Sequence, residues 1–298
     1  MKKRIISVLL ATVFALSVIG CGTKDTKEQD AYRQYGITCM ESGKYEDAVK
    51  AFQNALGESI GHIGEKELDI CFYKAKAQAL DGKTKDALAT YNAIIKYNKD
   101  ARAYYLRGDL YMDMGEEKKG KADFESAVQH GKKNYEIYIG IYESLSRHEK
   151  KDEGQKYLSA AMEIKGDKPE DELYKGRISY LLGENKDAIS YLEKAKEHKQ
   201  MLASYYLGLA YDANGDSDKA KKCIAEYIKS GVATSYDLYE LGMQEMQDGN
   251  YKNALTYFNS GLELEKVPNK QNLMKSAIAA YELSLIHISE PTRRTPIS

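Results

Sequence analysis

The sequence predicts an all-α fold, a solenoid built from tandem helix–turn–helix repeats. The first observation is a glycine that recurs along the chain with successive spacings of 39, 33, 68, 32 and 34 residues. The second is that each of these glycines separates two amphipathic segments of helical length, whose apolar residues lie one turn apart. Because 68 residues are two periods of 34, one further repeat lies in the long gap, which gives seven repeats. The recurring glycines are Gly43, Gly82, Gly115, Gly183, Gly215 and Gly249.

The first helix of each repeat is predicted to end at this glycine. Glycine adopts the left-handed backbone conformation that costs other residues energy, so it is typical of helix ends. In the repeat between Gly115 and Gly183, Lys150 stands where the glycine is expected.

Small and bulky residues recur at fixed distances from the glycine. Small side chains seven residues before it and five after it predict a close approach of the two helices. A bulky side chain four residues further on is predicted to fill the contact. The repeat around Lys150 departs from the pattern, because Tyr142 takes the first small position. The first small residues are Gly36, Ala75, Gly108, Gly176, Gly208 and Gly242; the second are Ala48, Ala87, Gly120, Ala188, Ala220 and Ala254; the bulky residues are Phe52, Tyr91, Phe124, Leu192, Ile224 and Phe258.

The stretches YLGLAY (Tyr206 to Tyr211) and YELGMQ (Tyr239 to Gln244) show the pattern most clearly. They resemble the tetratricopeptide repeat, whose signature is a bulky residue, Leu-Gly, Tyr, and then Ala and an aromatic residue. The resemblance covers residues 30–282, as seven repeats and the first helix of a truncated eighth. It implies a right-handed α–α superhelix whose first helices line a concave groove, and a protein or peptide partner bound in that groove.

The first residues predict export. Three positive charges in MKKR precede an apolar run that is short for a membrane span, an order typical of a secretory signal peptide over residues 1–20. Cys21 follows directly, and VIGC resembles the lipobox of bacterial lipoproteins, which implies that Cys21 is lipidated and that residues 21–29 form a short tether. The expected location is the extracytoplasmic face of a bacterial membrane. Two alternatives stay open, namely cleavage without lipidation, which releases a secreted protein, and an uncleaved anchor helix.

Residues 283–298 fit no helix, because Pro291 and Pro296 interrupt them and no apolar face repeats. Reverse translation of this segment resembles the transposon-end adapter of short-read sequencing libraries. The segment is therefore predicted to be a non-native, adapter-derived tail, and a natural tail is the alternative.

Composition and motifs favour neither nucleic-acid binding nor catalysis. The formal net charge is −1 and the chain has no Lys/Arg run, whereas nucleic-acid-binding surfaces are strongly basic. HEKKD at His148 has Asp152 where a zinc-protease motif needs its second histidine, and GKT at Gly82 lacks the first glycine of a phosphate-binding loop. We therefore predict no enzyme, no metal, no cofactor and no small-molecule substrate.

The three cysteines beyond Cys21 are widely spaced. An odd number of them suits a disulfide framework poorly, so Cys39, Cys71 and Cys223 are predicted to be small buried apolar residues. A Cys39–Cys71 bridge is the alternative.

The predicted partner-binding residues lie on the groove side of the first helices. Counting three residues before each small position gives one row, and one helical turn further on gives a second. Tyr and Met suit peptide recognition, because they offer a large contact area and soft packing. The alternative is that they are amphipathic surface filler in a chain with 25 Tyr. The residues are Phe72, Tyr105, Met112, Leu173, Tyr180, Tyr205, Tyr239, Met243 and Met246.

The predicted function is a membrane-anchored scaffold for protein–protein interaction in the bacterial cell envelope. The alternative is a non-catalytic part of a longer enzyme, or of an envelope assembly or transport component, whose C-terminal domain lies beyond residue 282. An uninterrupted gene sequence would separate the two interpretations.

Overall fold

The computed structural model describes residues 27–59, 63–166, 168–265 and residue 278, and within these ranges the chain folds into fourteen α-helices without a strand. The predicted all-α fold is confirmed. The helices are α1 Lys27–Glu41, α2 Tyr45–Gly57, α3 Glu65–Leu80, α4 Thr84–Asn98, α5 Ala101–Asp113, α6 Glu117–His130, α7 Tyr135–Arg147, α8 Lys151–Met162, α9 Pro169–Leu182, α10 Asn185–Glu197, α11 Leu202–Ala213, α12 Ser217–Lys229, α13 Ser235–Gln247 and α14 Tyr251–Leu264.

The helices pack as seven pairs, and each pair stacks on the next. Odd-numbered helices are the first helices of the repeats, and each packs most extensively against the even-numbered helix that follows it. First helices of successive repeats also contact each other, as α1 does α3, α5 does α7 and α9 does α11, whereas no two second helices in the described ranges pack as extensively. The first helices therefore lie on the inner side of the curved solenoid, which is the side where successive repeats come closest.

The turns between paired helices adopt the predicted left-handed conformation. Backbone φ is +72° at Gly43 and +86° at Gly215, and the other four recurring glycines lie between these values. The prediction for the fourth repeat is wrong by one position, because Glu149 has the positive φ of +61° and Lys150 is the N-cap of α8. The backbone therefore keeps the same turn without a glycine, at the energetic cost of a left-handed non-glycine residue.

The predicted pairing of small and bulky side chains is confirmed by the contacts between paired helices. A Cβ atom added to Gly36 would lie 2.6 Å from Phe52, and one added to Gly108 would lie 2.9 Å from Phe124. Added Cβ atoms at Gly176, Gly208 and Gly242 would likewise collide with the bulky residue of their own repeat. Glycine lets the two helices approach until the bulky side chain of the second helix touches the backbone of the first.

The fourth repeat has a large side chain at the first small position. Tyr142 on α7 replaces the small residue, and Gly154 on α8 faces it, so that a Cβ atom at Gly154 would lie 3.0 Å from the Tyr142 ring. Tyr142 is only 7% exposed, so the larger side chain still belongs to the core.

The three described cysteines are free. Cys39 and Cys223 are buried, as predicted, whereas Cys71 is only partly buried. The structure contains no Cys39–Cys71 bridge. Both buried thiols pack in apolar clusters between paired helices, where cysteine acts as a small apolar residue.

Several sequence predictions fall outside the described residues. The signal peptide, Cys21, the 21–26 part of the tether and the 283–298 tail lie there, and residue 278 alone represents the predicted eighth repeat. The side chain of Ile278 packs against the apolar cluster of Ala254 and Phe258 on α14. None of the described helices combines the length and the apolar character that a membrane crossing requires.

Candidate partner-binding face

The candidate site is the inner face, defined as the groove side of the first helices α1, α3, α5, α7, α9, α11 and α13. Side chains on this face come from positions one helical turn apart, because residues i, i+3, i+4 and i+7 share one side of a helix. The nine predicted partner-binding residues lie on five of these helices, namely α3, α5, α9, α11 and α13.

Three of the nine residues are buried within the solenoid. Phe72 is 6% exposed, Met112 is 4% exposed and Leu173 is 8% exposed. Phe72 packs in the cluster between α3, α4 and α5, and the guanidinium of Arg102 covers its ring at 3.6 Å from the ring centre. These side chains hold neighbouring helices together and present little surface to a partner.

Tyr105 is partly buried, because α7 provides a slot for its ring. A Cβ atom added to Gly140 would lie 2.6 Å from the Tyr105 ring, so the glycine makes room for the phenol. The ring also packs against Phe124 at a centroid distance of 6.3 Å. Burial, followed by the negative charges of Asp109 and Glu143, raises the pKa of Tyr105, which stays a neutral phenol.

The other five predicted residues, Tyr180, Tyr205, Tyr239, Met243 and Met246, are partly exposed and lie on α9, α11 and α13. Tyr205 stacks edge-on against Tyr206 at 5.1 Å and packs against Tyr227 at 5.3 Å. Tyr239 rests on Phe258 at 5.9 Å, beside Met243 and Met246. The structure therefore gathers these residues on the three C-terminal first helices, and their role in partner binding stays a prediction.

Sequence reasoning missed a set of arginine bridges between successive first helices. Arg33 on α1 donates from Nε to Asp69 on α3 at 2.9 Å, and Arg147 on α7 donates to the buried Asp109 on α5. Arg177 on α9 binds two carboxylates of α7, because it donates to Glu136 at 3.2 Å and to Glu143 at 2.9 Å.

The surroundings of these charges explain their protonation behaviour. Burial raises the pKa of Asp109, and the Arg147 guanidinium opposes that rise. Arg177 also lies 5.5 Å from the centre of the Tyr206 ring, within cation–π distance. Burial raises the pKa of Tyr206 to about 12, and Arg177 opposes this shift as well.

A weak sequence signal for the bridges does exist. Asp109 follows the small residue Gly108, and Arg177 follows the small residue Gly176. A charge next to a close helix contact lies near the neighbouring helix and needs a partner there. The signal does not identify that partner, which comes from another repeat.

The inner face offers groups for binding, and the described residues contain no cluster of three or more His, Cys, Asp or Glu side chains placed to hold a metal ion. The inner face carries phenol rings, thioethers, carboxylates and guanidinium groups. Such a set recognises a polypeptide through apolar contact, hydrogen bonds and charge.

Comparison with known proteins supports the repeat assignment. Family models described as tetratricopeptide repeat match residues 36–95, 101–129 and 202–230. No curated protein matches the chain in sequence. These matches fall on the first three repeats, α1 to α6, and on the sixth repeat, α11 and α12.

Two solved structures share the fold. A tetratricopeptide repeat protein from Parabacteroides merdae ATCC 43184 aligns with a TM-score of 0.50 at 11% identity, over 86% of this chain and 100% of that chain. Yeast Tom70 aligns with a TM-score of 0.54 at 15% identity, over 90% of this chain and 58% of that chain. At these identities the likeness concerns the fold alone.

Proposed function

This chain is a tetratricopeptide repeat protein, and we propose that it is a membrane-anchored scaffold that holds a protein partner on its inner face. Tetratricopeptide repeats serve as scaffolds for protein–protein interaction, because their stacked helices form extended curved binding surfaces. The finer elements of the proposal are the position of the bound partner, the lipid anchor and a location in the bacterial cell envelope.

The observation that carries the inner-face proposal is that five of the nine predicted residues, all on α9, α11 and α13, are partly exposed Tyr or Met side chains. Tyr180, Tyr205, Tyr239, Met243 and Met246 all keep some surface, whereas Phe72, Met112 and Leu173 do not. Rigid phenol rings lose little conformational entropy on binding, and flexible thioethers adapt to the shape of a partner. The proposed role requires no chemical step by the chain itself.

A crosslinking experiment tests where the partner binds without removing a side chain that stabilises the fold. A photo-crosslinking aromatic amino acid replaces Tyr239 or Tyr180 on the inner face, and replaces Tyr97 on α4 as the matched control. Tyr97 lies on a second helix and is 55% exposed, and its hydroxyl donates to the backbone carbonyl of Ile63 at 2.9 Å. We expect discrete crosslinked products in cells from the two inner positions, because a partner in the groove contacts those rings directly.

The control position should give no discrete product. Crosslinks that come from Tyr97 alone would place the partner on the outer surface and overturn the inner-face proposal. Truncation of Tyr205 is a poorer test, because its ring packs among Tyr206, Tyr227 and the α13 side chains.

The anchor is proposed from residues 1–21 of the sequence. A short apolar segment after MKKR ends at Cys21, and a multiply acylated cysteine would hold the chain stably at a membrane surface. We expect Cys21→Ala to abolish incorporation of labelled fatty acid and to release the protein from the membrane fraction. Labelled fatty acid on the Cys21→Ala variant would contradict the proposal. Cys223→Ala is the matched control, and it should leave labelling unchanged.

A further inference from the structure

The last two first helices of the described solenoid, α11 and α13, differ in charge from the others. Between their bounds they carry four carboxylates and neither Lys nor Arg. None of the four forms an ion pair with a described residue, whereas Asp69, Asp109, Glu136 and Glu143 on earlier first helices all bind an arginine. The four carboxylates are Asp212, Asp237, Glu240 and Glu245.

One of these four carboxylates already has a structural role. Asp237 accepts a hydrogen bond from the Tyr227 hydroxyl at 2.7 Å and from the Thr234 backbone amide at 2.8 Å, so it caps α13 and joins it to α12. Asp212 and Glu240 are exposed, and Glu245 accepts a hydrogen bond from the neutral side-chain amide of Asn253 at 3.1 Å. Asp212, Glu240 and Glu245 therefore form no ion pair with a described residue.

These carboxylates contribute to the raised pKa values of tyrosines in the same region. Burial raises the pKa of Tyr257 to about 12, with further contributions from Glu245 and Asp212. Burial and then Glu240 raise the pKa of Tyr236, and the α7 carboxylate Glu143 adds to this effect from across the groove. Carboxylates on the first helices α7, α11 and α13 thus contribute to the raised pKa of Tyr236 or Tyr257.

A cleft lies between the sixth and seventh repeats, where residues of α11, α12, α13 and α14 line it. Its volume is about 160 Å³, and its lining includes Leu209, Asp212, Leu241, Glu245 and Tyr257. Lys221 is the single basic residue in that described lining, and it is exposed on α12. The cleft combines apolar side chains such as Leu209 and Leu241 with polar amides and two carboxylates, an arrangement that suits a long aliphatic side chain with a positive end.

We propose that the α11–α13 part of the inner face binds a lysine- or arginine-containing segment of the partner polypeptide. This inference rests on the proposed function and specifies the chemistry of the bound segment. The chain itself provides a precedent, because Arg177 lies between two carboxylates and the Tyr206 ring on the same face. A partner guanidinium or ammonium supplies the cation that α11 and α13 lack, and aromatic rings add cation–π attraction.

The experiment selects random twelve-residue peptides, displayed on phage, against the full purified chain. The dissociation constant of the best synthetic peptide is then measured at low and at high salt. We expect enrichment of Lys and Arg among the selected peptides. Binding should weaken by about fivefold to tenfold in the double variant Asp212→Asn/Glu240→Gln, because two attractive charges are lost. It should also weaken as salt rises.

The matched control is Asp218→Asn/Glu263→Gln, which removes two exposed carboxylates from the second helices α12 and α14. The control should bind like the original chain, and circular dichroism should show equal helix content for all three proteins. Peptides that bind without basic residues, or equally well to both double variants, would overturn the inference and leave the proposed function standing. A chain that selects no peptide would contradict the proposed function as well.

Discussion

The N-terminal and C-terminal first helices of the solenoid share one backbone plan and differ in how their inner faces handle charge. In the N-terminal part, Arg33 joins α1 to α3 and Arg147 joins α7 to α5, so each carboxylate in these bridges has its cation on a neighbouring repeat. In the C-terminal part, α11 and α13 have carboxylates and tyrosines but no basic residue. Arg177 on α9 is the last arginine of the inner face within the described residues.

The two parts use their charged groups differently. An arginine that bridges two first helices satisfies a buried or half-buried carboxylate, and it limits sliding between repeats. A carboxylate without a cation contributes nothing of this kind, and it leaves negative potential on the surface. The N-terminal inner face is thus internally paired, and the C-terminal inner face remains available to a charged partner.

The largest expected effect comes from breaking a bridge in the paired part. Arg147→Met keeps an aliphatic stem but leaves Asp109, which is 4% exposed, without its cation. We expect the free energy of unfolding to fall by about 2–4 kcal/mol, because a buried carboxylate loses its partner. Urea denaturation at neutral pH measures the change. The control Lys196→Met removes an exposed pair with Glu226 and should cost at most about 1 kcal/mol.

The stability loss of Arg147→Met should also depend on pH. Burial already raises the pKa of Asp109 above its unfolded value, and loss of Arg147 removes a group that opposes this rise. A carboxyl whose pKa is raised in the folded state favours folding when it is protonated. The loss in free energy of unfolding caused by Arg147→Met should therefore shrink as pH falls from about 7 towards about 4. A deficit that grows on acidification would show that the cost does not arise from an unpaired Asp109.

Substitutions between paired helices should have an intermediate effect on stability. They test whether the N-terminal and C-terminal parts of the solenoid differ only on the inner face. Gly36→Ala in the first repeat and Gly242→Ala in the seventh both place a methyl group against a fully buried phenylalanine, Phe52 or Phe258. We expect each to lower the free energy of unfolding by about 1–3 kcal/mol, because the paired helices must move apart. Thermal or urea denaturation measures both.

The matched control is Gly57→Ala at the end of α2, where an added Cβ atom has no neighbour within 4 Å. It should change stability by no more than about 0.5 kcal/mol. Markedly unequal losses at Gly36 and Gly242 would mean that packing within the pairs, and not charge alone, separates the two ends.

The smallest expected effect comes from neutralising the unpaired charges. Asp212→Asn/Glu240→Gln should leave the free energy of unfolding within about 0.5 kcal/mol of the original, because neither carboxylate has an ion-pair partner in the described chain. Denaturation of the double variant beside Arg147→Met compares the two parts directly. A loss as large as that of Arg147→Met would show that these charges stabilise the fold and are not free for binding.

The repeat architecture of this protein follows from its amino-acid pattern alone. The left-handed turns, the seven helix pairs and the contact of Gly36 with Phe52 or Gly242 with Phe258 all depend on residues fewer than twenty positions apart, whose geometry follows from helix periodicity. The fourth repeat shows the limit of such reasoning, because a missing glycine left the turn one residue from its predicted place, at Glu149.

Which inner-face residues remain exposed to a partner depends on how the repeats stack, and the sequence pattern does not show it. Phe72 and Leu173 follow the same spacing as Tyr205 and Tyr239, yet they are buried, because burial depends on the side chains that the next repeat presents. The arginine bridges could not be predicted from the sequence either, because the two residues of each bridge are 34 to 41 positions apart. Helix periodicity fixes the face on which a side chain lies, whereas stacking of repeats fixes what lies opposite that side chain.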